Sequence, residues 1–302
     1  AYVTNFWVGR NSGANNKIHL FDAANVSTGI LDASGAFVVG ENRNTSGGSA
    51  TVTLSDHFVT TIGAIDQRAI MAVGHGDRAQ VCTVTAGGSF NAYLTTLSVG
   101  TNGPNGGGAT ETSNGKLILS MVTNGVLDVS DTVRIGNGGA YSIGDVRLPA
   151  IAASAGTLLV GAAATGCKGT LIMTGTVFRV TNNVVIHGPT VVNKGRILTT
   201  LTGSPGGLDL AETAAFTVNT GVYSITFGDP TQAVAVYWGL RWAGDHLDTL
   251  TNMYQTGRIT WDASAVTNPL VMAPVTTFVA NGMTYIGATM RTSVPGTQFM
   301  FR

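Results

Sequence analysis

Gln80-Val81-Cys82-Thr83-Val84-Thr85-Ala86-Gly87-Gly88-Ser89-Phe90, closing at Thr96-Leu97-Ser98-Val99-Gly100, is the stretch whose reading decides the fold. A short alternating apolar run meets a glycine turn, then a second run that ends on glycine. The pattern returns at Lys116-Leu117-Ile118-Leu119-Ser120 with Asn124-Gly125-Val126-Leu127-Asp128-Val129, closing at Thr132-Val133-Arg134-Ile135-Gly136. A third copy spans Gly169 to Val180 and closes at Val184-Val185-Ile186; a weaker one starts at Ala50 and closes at Ala72-Val73-Gly74. Repeated strand-plus-turn units are the sequence sign of a solenoid.

Blocks start near 50, 80, 116 and 170, and the last interval holds a partial unit, Gly156-Thr157-Leu158-Leu159-Val160-Gly161. The irregular period predicts an all-β fold, a right-handed parallel β-helix with loops of variable length. A two-sheet β-sandwich is the alternative reading of the same spacing. Period-2 alternation places Leu117, Leu119, Val126, Val133 and Ile135 inward.

Composition agrees with β-structure. Hydrophobic residues make up 44%, glycines number 41, and Glu occurs only at 41, 111 and 212. Charged residues are 11%, with 16 Lys+Arg against 16 Asp+Glu. So neutral and charge-poor a chain has no electrostatic footprint for nucleic acid, and it favours association. No apolar run reaches the roughly 18 residues of a membrane span. Ala1 is compatible with a mature chain after signal-peptide removal, which makes the expected location extracellular or cell-surface.

Three regions follow. Residues 1–15 carry a strongly apolar strand with Tyr2, Val3, Phe6, Trp7 and Val8. It reads either as the first strand of its own solenoid or as a donor strand for a neighbouring subunit. Residues 16–210 form the solenoid. Residues 211–302 form a β-rich cap with one helix at about 245–256, for which Asp245 is the expected N-cap and Leu247, Leu250 and Tyr254 the expected buried face. Within the cap, Phe216–Phe227 reads as a strand pair, and Thr276–Ile286 as a hairpin on Asn281-Gly282.

Aromatic residues gather at the two ends, and Tyr237, Trp238 and Trp242 read either as cap core or as an interface. If Tyr2, Val3, Phe6, Trp7 and Val8 meet Tyr237, Trp238 and Trp242 on another copy, the contact is head-to-tail and generates a filament.

Catalytic chemistry is not expected, and no cofactor or metal site is assigned. Asp128 and Asp131 with Arg134 and Arg147 read as exposed coil positions, as do Asp56-His57 and Asp66 with Arg68. Asp77-Arg78 beside His75 supplies too few ligands for a metal. Thr51/Thr53 and Thr83/Thr85 resemble fragments of an ice-binding ladder without its length. Cys82 and Cys167 lie about four coils apart at roughly 20 residues per coil, too far for a disulfide.

The blocks at 80–107, 115–139 and 169–188 resemble the Gly-rich strand repeats of autotransporter-passenger-like surface proteins. The segment Trp238-Gly239-Leu240-Arg241-Trp242-Ala243-Gly244-Asp245, with Gly257-Arg258-Ile259-Thr260-Trp261, resembles the region before a PEP-CTERM sorting signal in secreted bacterial proteins. That resemblance implies an extracellular β-solenoid with a structural or adhesive role. The expected function is a secreted structural protein that self-assembles into a filament, sheath or surface layer. An adhesin or glycan-binding solenoid is the alternative, followed by a β-helix polysaccharide lyase or hydrolase.

Overall fold

The computed structural model describes residues 1–10, 16–20, 29–42, 48–76, 80–101, 112–231, 234–268, 271 and 274–290. It is nearly all β, 67% strand, and its stacked parallel coils form a β-solenoid of about 7 turns. The sandwich alternative is thereby excluded. The strands run β1 (Tyr2–Arg10), β2 (Asn16–Leu20), β3 (Gly29–Asn42), β4 (Gly48–Leu54), β5 (Phe58–Ile62), β6 (Ala69–Gly76) and β7 (Gln80–Thr101). They continue as β8 (Ser113–Ile135), β9 (Ser142–Leu148), β10 (Ala152–Val160), β11 (Lys168–Thr174), β12 (Val177–Ile186) and β13 (Arg196–Leu201). The last are β14 (Gly207–Leu210), β15 (Ala215–Val218), β16 (Val222–Phe227), β17 (Val236–Ala243), then α1 (Leu247–Gln255), β18 (Ile259–Asp262), β19 (Thr276–Ala280) and β20 (Met283–Thr289).

Two inward columns hold the coils together. On one face Val52, Val84, Leu117, Val146, Leu171, Ile197, Tyr223 and Ile259 stand opposite one another in parallel register. On the other, Val8, Val39, Val73, Val99, Ile135, Val160, Ile186 and Val218 do the same. All sixteen are buried. Each coil thus covers the apolar row of the next, which is how a solenoid stabilises units that have no core of their own.

The second column explains the recurring apolar-glycine pair. Gly9, Gly40, Gly74, Gly100, Gly136 and Gly161 each follow a column residue and all have positive φ. They turn the chain off one face and onto the next. A Cβ on Gly100 would overlap the Ile143 carbonyl oxygen of the following coil, so the corner needs glycine for space as well as for conformation. In the last coils His187 and Asn219 take the place of glycine, neither with positive φ.

Successive corners lie 25 to 36 residues apart, longer than roughly 20. Cys82 is therefore three coils, not four, from the rung of Gly169 beside Cys167. At about 4.8 Å per coil that is roughly 14 Å, twice the disulfide limit. Both thiols are free and buried, and burial pushes Cys82 up to about 11.

Three local expectations are corrected. Leu127, not Val126, points inward: the inward row of Leu117 and Leu119 is interrupted over residues 120–124, where β8 slips in register against β7, and resumes at Leu127 and Val129. β15 and β16 are not a hairpin: β15 pairs with β12 and β16 with β13, each with a strand one coil away. Parallel stacking also runs past Leu210, through β16, β17 and β18.

The C-terminal end is then closed in antiparallel fashion. β20 pairs with β17, and β19 with β20, around the left-handed Asn281-Gly282 turn. α1 begins at His246, which contributes no side-chain cap, while Asp245 accepts a hydrogen bond from Leu247 N–H (3.2 Å) one position earlier than expected for a cap. Its buried face is Leu250 and Met253; Tyr254 is exposed and stacks on Trp261.

Candidate functional site

The aromatic residues of the two ends do not form two open surfaces. Tyr237 is fully buried, its ring against Phe227 and its hydroxyl donating to the Gly228 carbonyl (2.9 Å). Burial pushes that hydroxyl up to about 12. Trp242 is buried and stacks on His246, with centroids 3.7 Å apart. Trp238 is buried beneath the Arg241 guanidinium, which binds Asp209 through two hydrogen bonds of 2.8 and 2.9 Å. Tyr237 and Trp242 belong to the cap's interior and Trp238 is covered by Arg241, so all three side chains are buried within one copy.

The N-terminal strand is built into its own coil. β1 pairs in parallel with β3 from Tyr2 to Arg10, Val8 is buried, and Phe6 stacks on Phe37 with centroids 4.8 Å apart. Within one copy it is the first strand of its own solenoid. Among the described residues β1 pairs with β3 alone, so its other backbone edge faces away from the solenoid. Tyr2 and Val3 are exposed there, next to exposed Ile30. From Tyr2 to Gly9 the strand carries no charge, no proline and only one irregularity, between Val3 and Asn5. Most sheet edges are protected by one of these devices.

The outer face of the same coils carries a groove. Trp7, Val38, Ala72 and Ser98 follow one another coil by coil in an outward row. Beneath Trp7, Ala36, Val38 and Ala72 form a small apolar cluster on the outside of the sheet, separate from the main core. Just past the corner, Glu41, His75 and Thr101 form a second row, with His75 Nδ1 2.6 Å from Thr101 Oγ1. The groove so lined, with Ile70, Met71 and Thr96, encloses about 490 Å³.

The remaining candidate residues are scattered. Arg68 leaves Asp66 and reaches Asp128 (2.7 Å), which also accepts from Ser154 Oγ (2.7 Å). Partial burial pushes the Asp128 carboxyl up, but these two donors and the guanidinium charge hold it below the usual range. Asp131 accepts from Thr132, Arg134 donates to Asn137, and Arg147 pairs with Asp145. Each charge thus has a local partner, and the four do not converge. Asp56 and His57 are exposed, 3.9 Å apart. Thr51 and Thr53 do stand opposite Thr83 and Thr85, but Lys116 and Ile118 end the ladder at the next coil. Asp77-Arg78 lies outside the described residues.

No family model, curated protein or solved structure matches the chain. No helix among the described residues is long and apolar enough to cross a membrane.

Proposed function

We propose that the chain is a secreted structural protein of the cell surface, whose copies join through the open edge of β1. The observation that carries this reading is that β1 pairs on one side only among the described residues, in a strand of high β propensity that carries no charge from Tyr2 to Gly9. Secretion rests on the resemblance of its repeats to those of bacterial surface proteins.

The two ends of the solenoid differ, and this decides the mode of joining. The C-terminal end is finished by β19, β20 and α1, with Tyr237, Trp238 and Trp242 buried. Those three side chains are therefore not offered to a head-to-tail contact. Two copies instead meet head to head, β1 antiparallel to β1 about a two-fold axis, a closed and self-complementary contact. Centred on Phe6, this register keeps Phe6 and Val8 on the core side and Asn5 and Trp7 on the outer side of one continuous sheet. It sets Tyr2 opposite Arg10 of the second copy.

Sedimentation velocity of the full chain tests the pairing. The wild type is expected to pass from monomer to dimer with concentration. Tyr2→Lys, which places a charge on the open edge, weakens the dimer at least about tenfold, equivalent to about 1.4 kcal/mol. Tyr2→Phe, which adds no charge, leaves it intact. A monomer at all concentrations, or equal effects of Lys and Phe, overturns the reading. Deleting residues 1–10 is not a usable test, because it uncovers β3 as a fresh edge.

A further inference from the structure

We propose that the groove beside Trp7 is a binding site for a neutral oligosaccharide. The inference does not rest on assembly, since it concerns the outward side chains of the sheet and not the backbone edge of β1.

Three features point to the ligand class. Trp7, partly buried, packs on a floor of small side chains, Ala36, Val38 and Ala72, and lines the groove. A pyranose offers the matching element, an apolar face of C–H groups that packs on an aromatic ring while its hydroxyls point outward. The rim of the groove supplies what those hydroxyls need. The Thr96 and Ser98 hydroxyls both donate and accept, and the His75 ring is held in place by Thr101. Finally, the volume of about 490 Å³ falls within the usual range for small-molecule sites.

Competing ligand classes fit less well. A phosphate or uronate group calls for a cationic partner, and the lining holds no Lys or Arg among the described residues. A wholly apolar ligand would desolvate the Thr96 and Ser98 hydroxyls without replacing their hydration. Because Trp7, Val38, Ala72 and Ser98 belong to consecutive coils, the groove runs along the solenoid axis for roughly 14 Å at about 4.8 Å per step. That suits a short linear oligosaccharide better than a single sugar.

The test uses the full chain with cellohexaose, chitohexaose and mannohexaose as neutral probes and an oligogalacturonate as the acidic comparator. Binding is read by calorimetry and by tryptophan fluorescence. Trp238 and Trp242 are buried and Trp261 is stacked on Tyr254, so a ligand-induced change reports chiefly on Trp7. At least one neutral probe is expected to bind and to change the fluorescence. Trp7→Ala weakens it at least about tenfold. Ser98→Arg fills the groove from an outward position two coils from Trp7's neighbour Val38, and it blocks binding with the melting temperature unchanged. Absence of binding by all three neutral probes at millimolar concentration overturns the proposal. So does binding of the acidic probe alone, or a Ser98→Arg chain that binds like the wild type.

Discussion

Gly100→Ala is expected to destabilise the solenoid by at least about 4 kcal/mol, among the largest effects of any single substitution in the chain. Two costs coincide at this corner. A left-handed backbone carries a penalty of about 1–2 kcal/mol for any residue with a Cβ. The new methyl also overlaps the Ile143 carbonyl oxygen, which is backbone of the next coil and cannot swing aside. Gly257, at the C-terminus of α1, separates the two terms. Its φ of 68° is close to the 61° of Gly100, but a Cβ there meets nothing within 4 Å. Gly257→Ala should therefore show the conformational penalty alone, about 1–2 kcal/mol. Denaturant midpoints of the two variants measure the difference. Equal losses would mean that close coil contact at the corners contributes nothing.

Leu119→Ala should cost about 2–5 kcal/mol, because it opens a cavity between coils that cannot collapse along a continuous stack. Leu119 is fully buried, whereas Ile118 beside it in β8 faces outward opposite Arg147. Ile118→Ala is expected to cost about 1 kcal/mol or less. The pair compares inward and outward positions on one strand, and a larger effect at Ile118 would reverse the assignment of faces.

Much of this architecture is legible in the chain itself. Val73-Gly74, Val99-Gly100, Ile135-Gly136 and Val160-Gly161 mark the corners, and their repetition is what identifies a solenoid. The coil length is less visible, because the loops between a corner and the next strand vary and stretch the interval to as much as 36 residues. Strand pairing past Leu210 is obscured for a different reason. Local sequence at 216–227 resembles a hairpin, but the partners of β15 and β16 lie one coil back, at a distance no local pattern encodes. For the cap aromatics, composition shows that they cluster but not that Tyr237, Trp238 and Trp242 pack on Phe227, Arg241 and His246.

The groove is the part that sequence reading missed, although a signal for it exists. Trp7, His75 and Ser98 are far apart along the chain and share no motif. Aligned on the corner glycines, however, Trp7, Val38, Ala72 and Ser98 all fall two residues before a corner. Glu41, His75 and Thr101 all fall one residue after it. Once the corners are recognised, the rows of the outer face follow from the register alone.

The proposed assembling surface is the edge of β1. Hydrogen exchange of the full chain at increasing protein concentration tests this most directly. Amides of residues 2–10 should become protected as concentration rises, while those of β19 and β20 exchange at a constant rate. Exchange in β1 that is the same at every concentration, or protection that rises in β19 and β20 instead, would contradict it.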